Sequence, residues 1–316
     1  MKILITGGLG FIGGNFINFL EKHKKIIQKI YNIDCQTYAA NKDLIQKHKN
    51  IFKNKYKHKN IDISDMKKLN KFLVKTDITH IINFAAETHV DNSISNSDVF
   101  IKTNVLGTHN LLQHVIKNPS IRYHQISTDE VFGSLNLNDD KFNENSKYDP
   151  KNPYSATKAA SDLLVKSFIN TYKINAVITN CSNNYGPYQN IEKLIPKTIN
   201  NLLNNKKVPI YSKGSNVRDW LYVEDHCEIL FEILKSNHTG TLCIGGDSEK
   251  TNIEIVEKIC NFLNKNLNDS IDYVKDRAGH DFRYAINTSK INKIFSWVPK
   301  TSLEDGINKT INFYKQ

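Results

Sequence analysis

Short runs of β-branched and aliphatic residues alternate with longer amphipathic stretches through the first half of the chain. The short runs have the composition of buried strands, and the longer stretches have the length and apolar spacing of helices. The predicted strands are Lys2–Thr6, Lys29–Ile33, His80–Phe84, Arg122–Ser127 and Ala176–Cys181, with a short candidate at Asn60–Ile63. The predicted helices are Phe11–Lys22, Met66–Val74 and Asp98–Ile116. This alternation is typical of an α/β fold, in which a doubly wound parallel sheet carries helices on both faces.

The second half of the chain is expected to return to this sheet and to add a smaller lobe. A late apolar run, Thr241–Ile244, is followed by two glycines and predicts one more strand. The sequence has no internal repeat and no low-complexity linker, so we expect the two parts to be interwoven. The larger, Rossmann-like domain is predicted over residues 1–186, with 221–247 returning to it, and the smaller lobe over 187–220 and 248–316.

A glycine-rich turn joins the first predicted strand to the first predicted helix, with Gly7, Gly10 and Gly13 recurring every three residues. Glycine permits a tight turn, close approach of the backbone to a pyrophosphate, and close packing of helix on strand. The helix N-terminus also attracts phosphate groups. Asp34 ends the next strand, 21 residues after Gly13, where a carboxylate can bind ribose hydroxyls and repel a 2′-phosphate. The pattern predicts a dinucleotide site that prefers NAD to NADP.

Candidate ligand-binding residues follow the fourth and fifth predicted strands. They lie at the carboxyl ends of these strands, where open α/β sheets bind ligands. After the fourth strand, the small side chains of Ala85 and Ala86 would let a cofactor pass close by. After the fifth strand, Thr128, Asp129 and Glu130 bring three polar side chains together. Such residues alone would be interpreted as a helix cap or turn, but at this edge of a nucleotide-binding sheet they predict a ligand site.

Tyr154 and Lys158 are four residues apart near the start of a further predicted helix, so their side chains share one face. Asn152 is a suitable N-cap, and Pro153 fits the first turn. A lysine beside a tyrosine is expected to favour the phenolate, which is a strong base near neutral pH. The pair alone is equally compatible with a surface contact, and its place after a nucleotide-binding sheet favours catalysis.

Charge and cysteine content narrow the class of protein. The formal net charge is +11, but residues 42–60 alone hold seven lysines against one aspartate. We interpret this segment as a solvated surface and expect no nucleic-acid partner, because it lacks arginine and any recognised reading helix. No apolar run is long enough to predict a membrane span. The five scattered cysteines have no metal-ligand spacing, so we expect no metal and a cytoplasmic location.

Together these segments resemble the extended short-chain dehydrogenase/reductases and, within them, the nucleotide-sugar 4,6-dehydratases. The resemblance runs through the whole chain and continues at residues 180–188, 192–196, 217–223 and 276–281. The adjacent acids Asp129 and Glu130 are its most specific sign, because sugar epimerases of this superfamily generally lack them. The resemblance implies NAD as cofactor and a nucleotide-activated hexose as substrate.

The resemblance also implies a role for each member of the polar set. Tyr154 would remove the proton of the sugar 4-hydroxyl while hydride leaves C4 for NAD, with Lys158 holding the phenolate and the nicotinamide ribose. Thr128 would hydrogen-bond near the 4-oxygen. The resulting ketone acidifies C5, so Glu130 would take that proton while Asp129 donates one to the departing 6-hydroxyl. Hydride then returns to C6. For these roles, Asp129 must be protonated and Glu130 ionised at the start of the reaction.

Two further sets of residues are implied by their positions in the family pattern. The cofactor set comprises Gly7, Gly10, Phe11, Ile12, Gly13, Asp34, Thr37, Asp62, Ile63, Ala85, Ala86, Glu87, Thr103, Tyr154, Lys158 and Asn184. The substrate set comprises His89, Thr128, Asn183, Lys193, Leu194, Tyr211, Arg218, Asn252, Arg277 and His280. Arg218 and Arg277 are the expected phosphate partners, because a guanidinium offers paired donors to phosphate oxygens.

The sequence leaves the substrate and some alternatives open. Asn92 and Phe282 stand where the family usually has basic residues, and Cys35 and Gln36 replace the more usual Lys-Leu. The sugar nucleotide is therefore left open among dTDP-glucose, UDP-glucose and UDP-N-acetylglucosamine. A 4-epimerase, which would not need the acid pair, and a non-catalytic NAD-binding protein are the other hypotheses. In this family the helices at about 98–116 and 153–172 pack across a two-fold axis, which implies a homodimer.

Overall fold

The computed structural model describes residues 1–276 and 280–316, and its strands form three sheets. In chain order the strands are β1 (Lys2–Thr6), β2 (Lys29–Asp34), β3 (Tyr56–Asn60), β4 (His80–Asn83), β5 (Arg122–Thr128), β6 (Ala176–Cys181), β7 (Asn183–Tyr185), β8 (Val208–Tyr211), β9 (Val217–Tyr222), β10 (Gly240–Ile244), β11 (Glu249–Thr251) and β12 (Ile271–Val274). The largest sheet has the order β10-β6-β5-β4-β1-β2-β3, and all its neighbouring strands are parallel. This is the expected doubly wound α/β fold.

Helices cover both faces of this sheet and build most of the smaller lobe. In chain order they are α1 (Phe11–Phe19), α2 (Asp43–Phe52), α3 (Met66–Leu73), α4 (Val90–Ser95), α5 (Asp98–Phe100), α6 (Thr108–Lys117), α7 (Pro153–Tyr172), α8 (Leu194–Leu203), α9 (Val223–Lys235), α10 (Asn252–Phe262), α11 (Leu267–Ser270), α12 (Ser289–Phe295) and α13 (Leu303–Tyr314). A π-helical segment, Ile101–Gly107, joins α5 to α6, so the predicted helix Asp98–Ile116 is continuous but not uniformly α-helical. No helix in residues 1–276 or 280–316 is long and apolar enough to cross a membrane.

The direction of winding reverses between β1 and β4, which places the ligand crevice at their carboxyl ends. The chain builds β1, β2 and β3 outward on one side, then crosses over to build β4, β5 and β6 on the other. The predicted return strand is confirmed, because β10 pairs with β6 at the far edge. The candidate strand Asn60–Ile63 is wrong in position: β3 ends at Asn60, and Ile61 and Ile63 lie beyond it.

The core of the larger part consists of two apolar layers on opposite faces of the sheet. Ile3 and Ile5 of β1 belong to one layer and Leu4 to the other, because alternate residues of a strand point to opposite faces. The first layer packs against α1 and α9, and the second against α3, α6 and α7. Because both faces of the parallel strands are covered, their sequences are near-continuous apolar runs.

The second half of the chain contains elements that the sequence did not indicate. A three-stranded sheet has the order β11-β9-β7, and β8 pairs with β12 in parallel. Their apolar faces pack against α8, α10 and α13 around a third cluster that includes Trp220 and Ile255. One C-terminal helix, α12, instead contacts β10 of the large sheet. The division at 186/187, 220/221 and 247/248 stays a prediction.

Candidate active site

A cleft of about 550 Å³ opens at the carboxyl ends of β1, β2 and β4. It brings together many of the predicted cofactor residues, namely Gly7, Gly10, Asp34, Thr37, Asp62, Ile63, Ala85, Ala86, Glu87 and Thr103. Residues that the sequence argument did not assign complete its lining: Ile33, Cys35, Ala39, Ala40, Ile61 and Phe84. Phe11 and Ile12, at the start of α1, instead pack partly buried against the core.

The backbone of the glycine turn lies close to the backbone of neighbouring segments at the floor of this cleft. Gly7 has φ +67°, and a Cβ there would lie 2.7 Å from the main-chain nitrogen of Ala85. A Cβ on Gly13 would overlap the carbonyl oxygen of Gly7, so helix α1 can approach the turn only because that residue is glycine. The glycines therefore let β1, the loop after β4 and α1 pack closely at the turn, which is one of the roles of glycine in a dinucleotide-binding turn.

Asp34 connects the glycine turn to the end of β2. Its Oδ2 accepts a hydrogen bond from the backbone of Leu9 at 3.0 Å, and its Oδ1 accepts one from Gln36 at 2.8 Å. Burial raises the pKa of Asp34, and the two backbone donors act in the opposite sense. The carboxylate is thus fixed at the cleft wall, where it can accept from ribose hydroxyls.

Asn104 is a residue of the site that the sequence argument missed. It is buried in the π-helical segment, where its Oδ1 accepts from Glu87 N at 2.9 Å and its Nδ2 donates to Glu87 O at 3.1 Å. The same Nδ2 donates to Thr157 Oγ1 at 2.9 Å, so this amide joins the loop after β4 to α7. The only signal in the sequence was an amide in a stretch that otherwise reads as an amphipathic helix.

The acid pair begins a 3₁₀ turn, Asp129–Phe132, directly after β5. Thr128 caps this turn by accepting from Glu130 N at 3.3 Å, and its hydroxyl donates to Asp129 Oδ1 at 3.2 Å. Asp129 is 1% exposed, and its Oδ2 has no hydrogen-bond partner among the residues that the structure describes. Burial raises the pKa of Asp129 well above its usual value, and the charges of Glu130 and Asp219 raise it further. Burial and the neighbouring negative charges therefore both favour the protonated form of Asp129.

Tyr154 lies in the first turn of α7, whose N-terminus has the predicted cap. Asn152 Oδ1 accepts from Ser155 N at 2.9 Å, Ser155 Oγ accepts from Asn152 N at 3.3 Å, and Pro153 begins the helix. The Tyr154 ring is 7% exposed and lies edge-on to Phe100, with ring centroids 6.5 Å apart. The capping box thus fixes the direction from which the phenol enters the site.

That Lys158 favours a Tyr154 phenolate stays a prediction. Burial raises the pKa of Tyr154 well above its usual value, and the charge of Glu130 raises it further. Lys158 Nζ donates to the carbonyl oxygen of Ile126 at 2.7 Å. Burial also lowers the pKa of Lys158, while Asp162 and Cys181 oppose that change. The lysine is thus held by the strand that leads to Thr128.

Several predicted substrate residues lie where the loop after β4 meets the segment between β7 and α8. His89 caps α4 by accepting from Asn92 N at 3.2 Å, and its Nε2 lies 3.6 Å from Glu192 Oε2. Lys193 Nζ donates to the carbonyl of Thr88 at 3.3 Å, so these loops meet. Three more predicted residues lie nearby in the sequence. Leu194 begins α8 and packs on the third cluster. Asn183 lies on β7, and its Oδ1 is buried. Asn184 follows it and forms a hydrogen bond with His226 at 2.8 Å.

The other predicted substrate residues come later in the chain. Arg218 is buried, donates to main-chain carbonyls including that of Asp281 at 2.9 Å, and lies 4.3 Å from the ring centre of Tyr284. Tyr211 ends β8 and meets His280 edge-on, with ring centroids 6.2 Å apart. Two residues remain: Asn252 begins α10, and Arg277 lies outside the described residues. Roles for this set stay predictions.

Comparison with known proteins gives one consistent result. The family model described as GDP-mannose 4,6 dehydratase matches residues 4–310. The dTDP-glucose 4,6-dehydratase of Haemophilus influenzae is 41% identical over 99% of this chain and 98% of its own length. The chain belongs to the nucleotide-sugar 4,6-dehydratase family. This confirms the resemblance and the Rossmann-like fold that it implied.

Solved structures of nucleotide-sugar 4,6-dehydratases superpose on the whole chain. The Bacillus anthracis dTDP-glucose 4,6-dehydratase, in complex with NAD, has a TM-score of 0.91 and 41% identity, covering all of this chain and 96% of its own. The Streptomyces venezuelae enzyme, also with NAD bound, has a TM-score of 0.94 and 37% identity, covering 100% and 97%. A Thermus thermophilus UDP-glucose 4-epimerase, at 22% identity and a TM-score of 0.91, shares the fold alone. In residues 1–276 and 280–316, no three acidic, histidine or cysteine side chains form a metal site.

Proposed function

We propose that this chain is a hydro-lyase that converts dTDP-glucose to its 4-keto-6-deoxy product, with NAD as cofactor. One observation carries the proposal: Asp129, buried and with a raised pKa, lies next to Glu130 at the strand end that faces α7 and Tyr154. An oxidoreductase or 4-epimerase needs a single acid–base group at C4, whereas removal of water across C5 and C6 needs a second acid and base. The dTDP-glucose enzymes at 37–41% identity support the choice of sugar nucleotide.

The first step is removal of the 4-hydroxyl proton by Tyr154. Thr128 Oγ1 lies at the end of β5, and its hydroxyl interacts with the Tyr154 phenol. The two side chains together can hold one sugar oxygen, and the phenolate form of Tyr154 can take the proton of that oxygen and become the phenol. Lys158, fixed on Ile126 O behind them, provides the positive charge that favours a negative oxygen at this place.

The second step is elimination, in which the two carboxyl groups have different roles. Once C4 is a ketone, the C5 proton becomes acidic because its removal gives an enolate. Glu130, which is less buried than Asp129, takes this proton, and Asp129 protonates the leaving 6-hydroxyl. Two neighbouring carboxyls with different environments are a common way to keep one acid and one base at the same pH.

The cofactor fits the glycine turn and the cleft that follows it. We propose that the turn holds the pyrophosphate, Asp34 holds the adenosine ribose, and the loop after β4 borders the nicotinamide end. When bound, NAD supplies the acceptor that takes hydrogen with its electron pair from C4 and gives it back at C6. Because the cofactor ends as it began, the residues of the chain only need to retain it, orient it and exclude water.

The test is incubation of the purified protein with NAD and, separately, dTDP-glucose, UDP-glucose and UDP-N-acetylglucosamine. Mass spectrometry should show loss of one water molecule from dTDP-glucose, with slower or no reaction of the other two. Preferred loss of water from UDP-N-acetylglucosamine would move the substrate assignment to that sugar. Equilibration of glucose and galactose forms without loss of mass would make the chain a 4-epimerase, and NAD binding without turnover would make it a non-catalytic NAD-binding protein.

We further propose that the chain forms a homodimer through α5, the π-helical segment, α6 and α7. These neighbouring elements carry large apolar side chains that are exposed in the single chain, namely Val99, Ile101, Leu106, Leu163 and Tyr172. Burying such side chains against a second copy would remove them from water. We also propose a cytoplasmic location, which five free thiols, four of them buried, support.

The dimer proposal predicts that Leu163→Glu halves the molar mass in solution. A charge in the centre of a buried apolar surface is costly, so association should be lost while the fold is retained. Light scattering after size-exclusion chromatography measures the mass, and Leu137→Glu is the matched control because Leu137 is also exposed but lies outside these helices. A wild-type protein that is already monomeric contradicts the proposal.

A further inference from the structure

A buried carboxylate lies on the same helix as Tyr154 and Lys158 and has no role in the reaction steps described so far. Asp162 lies one turn after Lys158 on α7 and is fully buried. Its Oδ2 accepts from Ser127 Oγ at 2.6 Å and Asn180 Nδ2 at 3.0 Å, and the hydroxyl of Tyr148 donates to it at 3.3 Å. A fully buried carboxyl with three donors is costly to place, so its position needs an explanation.

The partners of Asp162 lead directly to the acid pair. Ser127 precedes Thr128 at the end of β5, and Asn180 on β6 also donates to the carbonyl of Thr128 at 3.1 Å. One carboxylate on α7 therefore connects to the last residues of β5 through two different side chains. The strand that presents Thr128, Asp129 and Glu130 is thus tied to the helix that presents Tyr154.

Asp162 also lies within electrostatic reach of Lys158. Burial lowers the pKa of Lys158, and the charge of Asp162 is the largest influence that raises it, with Cys181 of β6 adding to it. Burial likewise raises the pKa of Asp162, and the charge of Lys158 is the first influence that opposes this, with a smaller one from Lys166. Each of these two buried charges is therefore supported by the other, while the three donors stabilise the carboxylate and Ile126 O accepts from the ammonium.

We propose that Asp162 is a positioning residue of the reaction, which keeps Lys158 in its ammonium form and holds the end of β5 against α7. The inference rests on the proposed function, in which the positive charge of Lys158 favours a negative oxygen at Tyr154. A residue with only a packing role would lower the amount of folded protein without changing the charge of Lys158.

The pH dependence of turnover distinguishes these roles. Asp162→Asn keeps the shape of the side chain and removes its charge, so the alkaline limb of kcat should move to lower pH by about one unit. Asp225→Asn is the matched control, because Asp225 is another buried carboxylate that accepts backbone hydrogen bonds, from Lys300 at 3.0 Å and Thr301 at 2.8 Å. The control should leave the limb in place. A limb that does not move in Asp162→Asn overturns the proposal.

A second measurement needs no substrate and therefore separates this inference from the proposed function. Thermal unfolding is measured for Lys158→Met, Asp162→Asn and the double variant. Each single variant leaves one buried charge without its partner, so the double variant should lose less than the sum of the two. Strictly additive losses overturn the proposal. If Asp162→Asn alone does not fold, recovery of folding in the double variant supports the proposal, and failure of the double variant counts against it.

Discussion

At the scale of single residues, burial distinguishes the two neighbouring acids to which we assign the proton transfers of elimination. Asp129 is almost completely buried and its pKa is raised, whereas its neighbour Glu130 is only partly buried. Both acids were predicted from sequence because they follow a strand end. Asn104 and Asp162 were not, because their partners lie far away in the chain, up to 53 residues for the Asn104–Thr157 hydrogen bond. Long-range partners leave no local pattern to read.

Asp129→Asn combined with Glu130→Gln should stop loss of water and still allow oxidation at C4. Neither amide can donate or accept the proton that elimination requires, while Tyr154 is unchanged. Reduced nicotinamide should therefore accumulate and be visible in the near-ultraviolet absorbance, with dehydrated product reduced by about 10²-fold or more. Normal release of water by the double variant would show that the two carboxyls do not perform the elimination.

Tyr154→Phe should remove the first step as well as the second. The ring and its edge-on contact with Phe100 remain, so the fold is retained while the base is lost. We expect turnover to fall by about 10²- to 10⁴-fold, with no reduced nicotinamide formed. Tyr172→Phe, a half-exposed tyrosine of the same helix, is the control, and equal activity of the two variants would remove Tyr154 from its role.

At the scale of elements, the parts of the fold that were predicted are those with a strong local pattern. Parallel strands buried on both faces read as apolar runs, and the glycine turn and the cap of α7 have specific residue signals. Strands β7 and β11 have three residues each and are too short to leave a pattern in the sequence. Each pairs with β9, on opposite sides of it. Helix α2 was hidden in the lysine-rich segment, where Leu44, His48 and Phe52 form its narrow buried face.

Removal of the cap of α7 should affect stability and activity together. Asn152→Ala deletes the acceptor for Ser155 N, so the free energy of unfolding should fall by about 1 kcal/mol. Turnover should fall as well, because Tyr154 lies in the same turn. Ser302→Ala removes the corresponding cap of α13 and is expected to cost a similar free energy with unchanged turnover. Equal turnover in both variants would show that the cap only stabilises the helix.

At the scale of the whole molecule, the buried histidines make stability depend on pH. Burial lowers the pKa of His226 to about 3 and that of His48 to about 4, against about 6.5 in the unfolded chain. Both are therefore neutral when folded and gain a proton on unfolding. Their contribution to stability is complete above about pH 6.5 and is lost progressively as the pH falls towards their folded values.

His226→Gln should make this loss of stability shallower. Between about pH 6 and pH 4, the free energy of unfolding of the variant should change less steeply, by up to about 1.4 kcal/mol per pH unit. Chemical denaturation at several pH values measures the slope. The comparison with wild type is needed because Asp129 and Asp219, whose pKa values are raised by burial, stabilise the folded chain as the pH falls. Identical slopes would mean that His226 does not titrate on unfolding.

The position of β10 has a consequence for synthesis on the ribosome. This strand completes the large sheet by pairing with β6, yet it is made only after β7, β8, β9 and the helices between them. A nascent chain that has emerged as far as Cys181 therefore presents the outer edge of β6 with open backbone groups. The large sheet therefore gains its last strand only when Gly240–Ile244 has left the exit tunnel, after β7, β8 and β9 have been made and before α10 and α13 follow.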